Sequence, residues 1–268
     1  MGNSVTVFTK PWPGKSLEAL ADFLRASGVD GVELPVRPGF QVTPETASPD
    51  LGRASRIFRE RGLAIRSVAA AASAAMIAAC GDAGVPILRV MATVDMTQGY
   101  RVSVDAHRRS YDALLGDLER HGVAIGVQNH CDHFVGSAVG LMDLIRGYDP
   151  RLVGAVLDPA HCALDGEPEE MAVDIAWPSL ILVNLKNVYW QRVTTDACEP
   201  DWRKYWCTGR HGLCSWPTVV RELGNRGWAG DYCLTAEYSS PEASGDLKDD
   251  AALPLFRDDV RYLRSLLA

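Results

Sequence analysis

Short apolar strands alternate with amphipathic helices along the whole chain, and this alternation constrains the fold more than any other feature. Eight strand-like runs, rich in β-branched and apolar residues, occupy positions 5–8, 31–36, 64–69, 86–91, 123–128, 153–158, 180–186 and 231–237. Strands joined by helices form parallel sheets through right-handed crossovers, so eight repeats predict a closed barrel. We expect residues 1–268 to form one domain of the α/β class, a single (β/α)8 TIM barrel.

Helical patterns fill the intervals between the strands, near positions 16–27, 47–61, 71–81, 103–121, 137–146, 168–176, 216–226 and 249–267. Ser16 is placed to cap the first helix. Four helices are expected to end at glycines, namely Gly28, Gly62, Gly122 and Gly227. No G-x-G-x-x-G motif follows the first strand, which disfavours an open, doubly wound sheet that binds a dinucleotide.

The amino-acid composition of the chain argues against nucleic acids and membranes as partners. The formal net charge of −7 argues against a surface that binds polyanions, so we expect no nucleic acid partner. No uncharged apolar stretch is long enough to cross a membrane, so no membrane partner is expected. The seven cysteines include no C-x-x-C pair, which is typical of reduced thiols and favours a cytoplasmic protein.

The connection after strand 7, residues 187–214, is unusually long and mixes aromatic with basic residues. Loops of this length in a compact domain are usually functional. We expect an extended loop that covers the active-site face and contacts a sugar ring and its hydroxyls. The candidate contacts from this segment are Trp190, Arg192, Arg210 and His211. The same aromatics could instead form an interface between copies of the chain, which would make the protein a homo-oligomer.

Polar side chains gather where the strands end, and in parallel barrels those carboxyl ends meet at one mouth. They are Glu33, Arg89, Gln128, His130, Asp158, His161, Asn184, Lys186 and Glu237. Side chains alternate along a strand, so Gln128, Asp158, Asn184 and Glu237 are expected to converge from four consecutive strands. Carboxylate and amide oxygens suit a hard divalent ion such as Mg²⁺ or Mn²⁺. Glu33 and Arg89 are further candidate substrate contacts, although Glu33 could instead hydrogen-bond a neighbour in the barrel mouth.

Several motifs at these strand ends resemble those of the xylose isomerase-like barrel superfamily of sugar isomerases, epimerases and dehydratases. The motifs are GVELPV at strand 2, VQNH at strand 5, LDPAH at strand 6, VNLKN at strand 7 and GDYCLTAEY at strand 8. The resemblance covers essentially the whole chain. It implies that Asp158 and Glu237 bind a divalent metal, that His161 faces the substrate, and that Lys186 is the lysine of the family's His-x-Lys.

The chain departs from the family pattern at two of the four metal-ligand positions. Gln128 stands where the family has a glutamate, and Asn184 where it has a histidine. Both amides can still offer a carbonyl oxygen, so the expected ion is Mn²⁺, Mg²⁺ or Co²⁺, with softer zinc disfavoured. Gln128 cannot take a proton, which excludes an epimerisation that uses two glutamates as an acid/base pair.

A one-base reaction remains open, and we expect an isomerase or dehydratase (lyase) that acts on a small sugar, keto-sugar or polyol. In that hypothesis Glu237 or His161 abstracts a proton next to a metal-bound carbonyl, Lys186 stabilises the enediolate, and His130 supplies the second proton. One alternative is a barrel that binds a sugar-like ligand or a protein partner without catalysis. Another is a phosphodiesterase resembling endonuclease IV, which the acidic composition and only six histidines disfavour.

Overall fold

A closed barrel of eight parallel strands forms the centre of the molecule in the computed structural model, which describes residues 3–240 and 245–268. The strands are β1 Ser4–Phe8, β2 Gly31–Pro35, β3 Ala64–Ala69, β4 Ile87–Met91, β5 Ala124–Gln128, β6 Val153–Leu157, β7 Leu180–Leu185, β8 Asn187–Arg192, β9 Trp202–Cys207 and β10 Asp231–Leu234. Strands β1 to β7 and β10 pair in parallel around the barrel, with β10 between β7 and β1. The prediction of a single (β/α)8 fold is confirmed.

Helices connect the barrel strands and pack around them. They are α1 Leu17–Ala26, α2 Ala47–Glu60, α3 Ala74–Asp82, α4 Tyr100–Asp112, α5 Leu115–His121, α6 Ala138–Ile145, α7 Pro159–Leu164, α8 Glu169–Ala176, α9 Trp216–Asn225 and α10 Leu253–Leu267. The single helix predicted over 103–121 is two helices, α4 and α5. The short helix α7, directly after β6, was not predicted. No helix in the described ranges is both long and apolar enough to cross a membrane.

The local helix signals act as the sequence predicts. The Ser16 hydroxyl accepts a hydrogen bond from the Ala19 amide at the start of α1. Gly28, Gly62, Gly122 and Gly227 all have positive φ, between +63° and +80°, so each ends its helix in the conformation that glycine adopts at least cost.

A small apolar layer fills the inside of the barrel below its mouth. It consists of Phe8, Ala69, Ile87, Val156, Leu182 and Cys233, with Ile181 packed against them. Gly126 and Gly154 let this layer close: a Cβ on Gly126 would lie 2.6 Å from a Val156 methyl, and one on Gly154 would lie 2.7 Å from Ile181. The polar ends of the strands therefore lie directly above a closely packed apolar layer.

The long connection after β7 folds as an antiparallel hairpin of β8 and β9, whereas the sequence predicted a loop. Val188 pairs with Trp206 and Trp190 pairs with Lys204, so these four side chains share one face of the hairpin. Asn187 ties the base of the hairpin to the following turn, because its amide donates to the carbonyls of Gly209 and Cys214.

Candidate active site

The polar strand ends surround a cavity of about 60 Å³ at the mouth of the barrel, here called the inner cavity. Its polar and charged lining residues are Lys10, Arg37, Arg89, Gln128, His130, Asn184, Lys186, Thr235 and Glu237. They come from the ends of β1, β2, β4, β5, β7 and β10, or from the residues that directly follow, because alternate residues of each strand point inward. The predicted convergence of strand ends is therefore observed.

A buried chain of hydrogen bonds crosses the mouth from Glu33 to Asp158. Arg89 donates to Glu33 Oε1 over 2.7 Å and, with its other terminal nitrogen, to Gln128 Oε1 over 2.7 Å. Gln128 Nε2 then donates to Asp158 Oδ2 over 2.8 Å. Arginine only donates, so the amide oxygen of Gln128 must face Arg89. The oxygen with which Gln128 was predicted to bind a metal ion therefore accepts a hydrogen bond from Arg89 in this structure.

Glu33 belongs to this network and does not face the inner cavity. Its side chain is fully buried, one oxygen accepts from Arg89, and the other accepts from the Ser67 hydroxyl over 2.9 Å. The prediction of Glu33 as a substrate contact is therefore replaced by the alternative role, a hydrogen-bonded partner in the barrel mouth. Arg89 does line the cavity, although it is only 4% exposed.

Lys186 lies between the two carboxylates that were expected to hold a metal ion. Its ammonium group is 3.4 Å from Asp158 Oδ2 and 3.2 Å from Glu237 Oε2, and Lys10 pairs with the other oxygen of Glu237. Burial would lower the pKa of Lys186, but the two carboxylates outweigh it and raise that pKa. Burial likewise opposes ionisation of Glu237, yet Lys186 and Lys10 bring the pKa of Glu237 down to about 2.

A divalent ion does not fit this set of donors. Asp158 Oδ1 and both amide atoms of Asn184 are buried without a hydrogen-bond partner, which leaves some polar atoms available to a ligand. However, each of the two carboxylates is already paired with lysine. The four cationic side chains of the lining face three carboxylates, those of Glu33, Asp158 and Glu237, so a divalent ion would add to a net positive charge.

A second group of metal-ligand types lies beside the cavity, where ligand atoms of His130, Cys131 and His161 come within 4.8 Å of one another. His161 Nδ1 accepts from the Cys131 backbone N–H over 3.2 Å, so the neutral ring carries its proton on Nε2. Neither ring nitrogen then offers a free lone pair to a metal. His161 is fully buried and does not line the inner cavity, and its Nε2 lies 3.6 Å from Asp158 Oδ2.

His130 lines the inner cavity with a free ring nitrogen. Its Nδ1 lies 2.8 Å from the Cys131 carbonyl oxygen and donates to it, which leaves the lone pair on Nε2. Burial, followed by the charge of Lys186, lowers the pKa of His130 to about 4. The ring is therefore neutral at pH 7 and can accept a proton.

The hairpin of β8 and β9 contacts this site through Trp206 and Lys204, which belong to the aromatic and basic residues of the long connection. The Trp206 ring lies 4.4 Å from Lys186 Nζ and 5.4 Å from the His161 ring. Lys204 pairs with Asp132 and lies 3.1 Å from Cys131 Sγ. Trp206 thus packs against the ammonium group of Lys186 and the ring of His161.

The four predicted contacts from the long connection do not line the inner cavity. Trp190 lies on the same hairpin face as Trp206 but one pair further out, and is 43% exposed. Arg192 pairs with Asp196 near the hairpin tip. Arg210 stacks on Tyr262 of α10, and His211 Nδ1 lies 2.7 Å from the Thr208 hydroxyl, away from the barrel mouth. Trp190, Arg192, Arg210 and His211 thus lie outside the inner cavity, and their predicted contacts with a substrate stay predictions.

Lys10 and Arg37 are site residues that the sequence analysis missed. Each lies two residues beyond the end of its strand, β1 for Lys10 and β2 for Arg37, and each lines the inner cavity. The period-two rule that identified the ends of later strands would have found both. Arg37 also lines a second cavity of about 530 Å³, here called the outer groove, which shares Arg89 and Met91 with the inner cavity.

Comparisons with known proteins agree with this fold. The family model of the xylose isomerase-like TIM barrel matches residues 21–266. D-psicose 3-epimerase from Clostridium cellulolyticum H10 superposes with a TM-score of 0.75 at 12% identity, over 98% of this chain and 99% of that chain. The 3-keto-D-glucoside 4-epimerase of E. coli gives 0.72 at 12% identity, over 98% and 99%.

A probable 3-DHS dehydratase from Bacillus anthracis also superposes, with a TM-score of 0.69 at 12% identity, over 97% of this chain and 98% of that chain. No curated protein sequence matches this chain. At these identities the structural matches show a shared fold and carry no residue roles across.

Proposed function

Because this chain belongs to the xylose isomerase-like TIM barrel family, we propose that it is an enzyme that isomerises or dehydrates a small sugar, keto-sugar or polyol. The reaction begins with removal of a proton from a carbon next to a carbonyl group. The sugar epimerases and the dehydratase that share the fold support this substrate class. The observation that carries the proposal is the free Nε2 of neutral His130 in a cavity that Lys10 and Lys186 also line.

His130 is the proposed base. A base must be unprotonated and must face the substrate, and His130 meets both conditions at neutral pH. The other predicted bases are less suitable. Both oxygens of Glu237 are paired with lysines and its pKa is about 2, so it accepts a proton poorly. His161 carries its proton on Nε2 and does not line the inner cavity, so we assign it a positioning role beside His130, whose ring lies 4.0 Å away.

Fixed positive charge stabilises the anion that proton removal creates. Lys186 and Lys10 line the cavity, and the carboxylates of Asp158 and Glu237 keep Lys186 protonated. An ammonium group held in place by buried partners needs no reorganisation when an enediolate forms, which makes its stabilisation effective. The isomer forms when protonated His130 returns its proton to the neighbouring carbon, while one oxygen of the enediolate takes a proton from a lysine and the other oxygen gives one back. Dehydration follows from the same intermediate if the proton goes instead to a β-hydroxyl, which then leaves as water.

Divalent-ion dependence forms no part of this proposal. The Mn²⁺, Mg²⁺ or Co²⁺ that the family resemblance implies would have to share Asp158 and Glu237 with Lys186. The Gln128 oxygen is engaged by Arg89, and the oxygen atoms without hydrogen-bond partners that remain near it are those of Asn184 and Thr235 and one oxygen of Asp158. We therefore assign the electrostatic role to the lysines.

A barrel that binds a sugar-like ligand without catalysis is the second candidate. The complete neutralisation of Glu237 by Lys10 and Lys186 favours it, since a carboxylate held in this way is poorly suited to acid–base work. The two candidates differ in whether a bound ligand exchanges protons with solvent.

Exchange of carbon-bound hydrogen with solvent deuterium tests the proposal. A panel of keto-sugars and inososes is incubated with the protein in D₂O and followed by proton NMR. We expect loss of the signal of a proton next to the carbonyl for at least one compound, with formation of an isomer or an unsaturated product. Binding of a panel member without exchange in any compound would favour the binding protein.

A further inference from the structure

Arg37 differs from the other cations around the inner cavity because no carboxylate of residues 3–240 or 245–268 forms an ion pair with it. Lys10 and Lys186 pair with Glu237, and Arg89 pairs with Glu33. The guanidinium of Arg37 lies 5.7 Å from the centre of the Phe8 ring, and it forms no ion pair with any residue in the described ranges. Three of the four cations around the inner cavity are thus neutralised by carboxylates of the described residues, and Arg37 is not.

The unpaired positive charge of Arg37 lies where a ligand can reach it. Its side chain is half-buried and lines both the inner cavity and the outer groove. Burial and then the neighbouring charge of Arg89 lower the pKa of Arg37, and the more distant carboxylates of Glu33 and Glu237 only partly oppose this shift. Asp246, an acid near the mouth, interacts electrostatically with Lys10 and Lys186.

We propose that the substrate carries an anionic oxygen group, a carboxylate or a phosphate, and that Arg37 binds this group where the inner cavity meets the outer groove. The inference rests on the proposed function and specifies its substrate class as an acidic sugar derivative. Arginine suits this role because its planar fork matches the paired oxygens of both kinds of anion.

The sizes of the two cavities support this placement. The inner cavity, at about 60 Å³, has room for only a few water molecules, so it can take one end of a sugar. Arg37, Arg89 and Met91 line both cavities, so a sugar whose other end extends into the outer groove of about 530 Å³ passes beside Arg37. A carbonyl end beside His130 and Lys186 would therefore place a more distant anionic group within reach of Arg37.

Binding measurements on the intact protein test the inference. Isothermal titration calorimetry in a low-chloride buffer compares D-glucose, D-glucuronate and D-glucose 6-phosphate as probes. We expect at least one of the two anions to bind about tenfold or more tightly than glucose. Preference for glucuronate identifies the carboxylate, and preference for the 6-phosphate identifies the phosphate.

Substitution of Arg37 assigns the effect to this residue. Arg37→Gln should reduce the affinity for the preferred anion about tenfold or more and leave the affinity for glucose unchanged. Arg56→Gln is the matched control, because it removes the same charge from an exposed position on α2. Circular dichroism verifies that both variants fold.

Equal binding of glucose and both anions, or unchanged anion binding by Arg37→Gln, would overturn the inference. Deuterium exchange separates this failure from failure of the proposed function. Deuterium exchange with neutral keto-sugars, together with equal binding of neutral and anionic probes, would support the proposed function and contradict the inference that the substrate is anionic. Anion binding that depends on Arg37, without exchange in any compound, would support the anion site and contradict the enzymatic role.

Discussion

The ammonium group of Lys186 lies 3.4 Å from the carboxylate of Asp158, and neither side chain is more than 4% exposed. This buried pair lies where a metal ion was expected from the sequence. Burial raises the pKa of Asp158, while Lys186 acts in the opposite direction. A fixed ammonium group thus supplies one positive charge where the family resemblance implies a divalent ion.

Removal of Lys186 should destabilise the protein. Lys186→Met leaves Asp158 buried without its cation and deprives Glu237 of one of its two lysines, which should cost about 3 kcal/mol in the free energy of unfolding. Urea unfolding measures the change. Adding Asp158→Asn to this variant should recover part of the loss. Lys248→Met, at an exposed position, is the control, and an equal loss there would show that the buried pair is not the cause.

A divalent-ion site should appear when the internal cation is replaced. The double substitution Gln128→Glu with Lys186→Met adds one negative charge and removes one positive charge, which matches the charge of Mn²⁺. We expect Mn²⁺ to raise the melting temperature of this variant and to leave that of the native protein unchanged. A free Mn²⁺ concentration of a hundred times Kd would stabilise the folded state of the double variant by about 2.7 kcal/mol.

Mn²⁺ binding by the native protein would contradict our reading of the site, provided that Asp158→Asn abolishes it. The single variant Gln128→Glu serves as the intermediate control, because Lys186 still lies between the two carboxylates in it.

Much of the fold could be predicted from the sequence because each barrel strand is an apolar run that stops at a polar residue. All eight predicted strands are present, and β5 ends at Gln128 as the run VAIGVQ indicates. The helix predicted over 103–121 is interrupted at Ala113 and Leu114, two residues before Gly116 in the first turn of α5. Pattern alone therefore located the elements and missed this division.

The site was less predictable because its chemistry depends on contacts across the barrel. Strand ends identified Gln128 and Asp158, but the orientation of the Gln128 amide is fixed by Arg89 from β4. The hairpin posed a similar difficulty. Aromatic content indicated that residues 187–214 lie over the site, while only strand pairing shows that Trp206 faces Lys186 and that Trp190 lies further out.

His130 should be required for proton exchange. Substitution of a general base typically costs about a hundredfold or more, so His130→Asn should reduce the rate of deuterium exchange by at least that factor. His133→Asn, three residues along the same loop and exposed, is the matched control and should retain the native rate. Exchange at the native rate in His130→Asn would show that another group removes the proton.

The pH dependence of exchange should report the same residue. Burial and the charge of Lys186 lower the pKa of His130 to about 4, so its ring is unprotonated throughout the neutral range. The exchange rate should therefore be constant from about pH 6 to pH 8 and fall as the pH drops toward 4. A rate that instead falls below pH 7 would indicate a base with an ordinary histidine pKa.

Asp259 should make stability depend on pH. This α10 residue is 4% exposed; its two oxygens accept from the Gly209 amide and the Tyr238 hydroxyl, and burial raises its pKa from 3.8 to about 7. The folded state therefore holds a proton that the unfolded chain releases near pH 4. Its contribution to stability is present in full below pH 3.8 and is lost as the pH rises to about 7.

Asp259→Asn mimics the protonated acid and should remove this dependence. Between pH 5 and pH 8 the native protein should lose about 2 to 3 kcal/mol of unfolding free energy relative to this variant. Urea unfolding at a series of pH values measures the difference. Asp258→Asn, at the adjacent position where the carboxylate pairs with Arg261 on the surface, is the control. Only a group that changes its protonation on unfolding makes stability depend on pH. If the difference in unfolding free energy between the native protein and Asp259→Asn does not change with pH, Asp259 is already ionised in the folded state at pH 5.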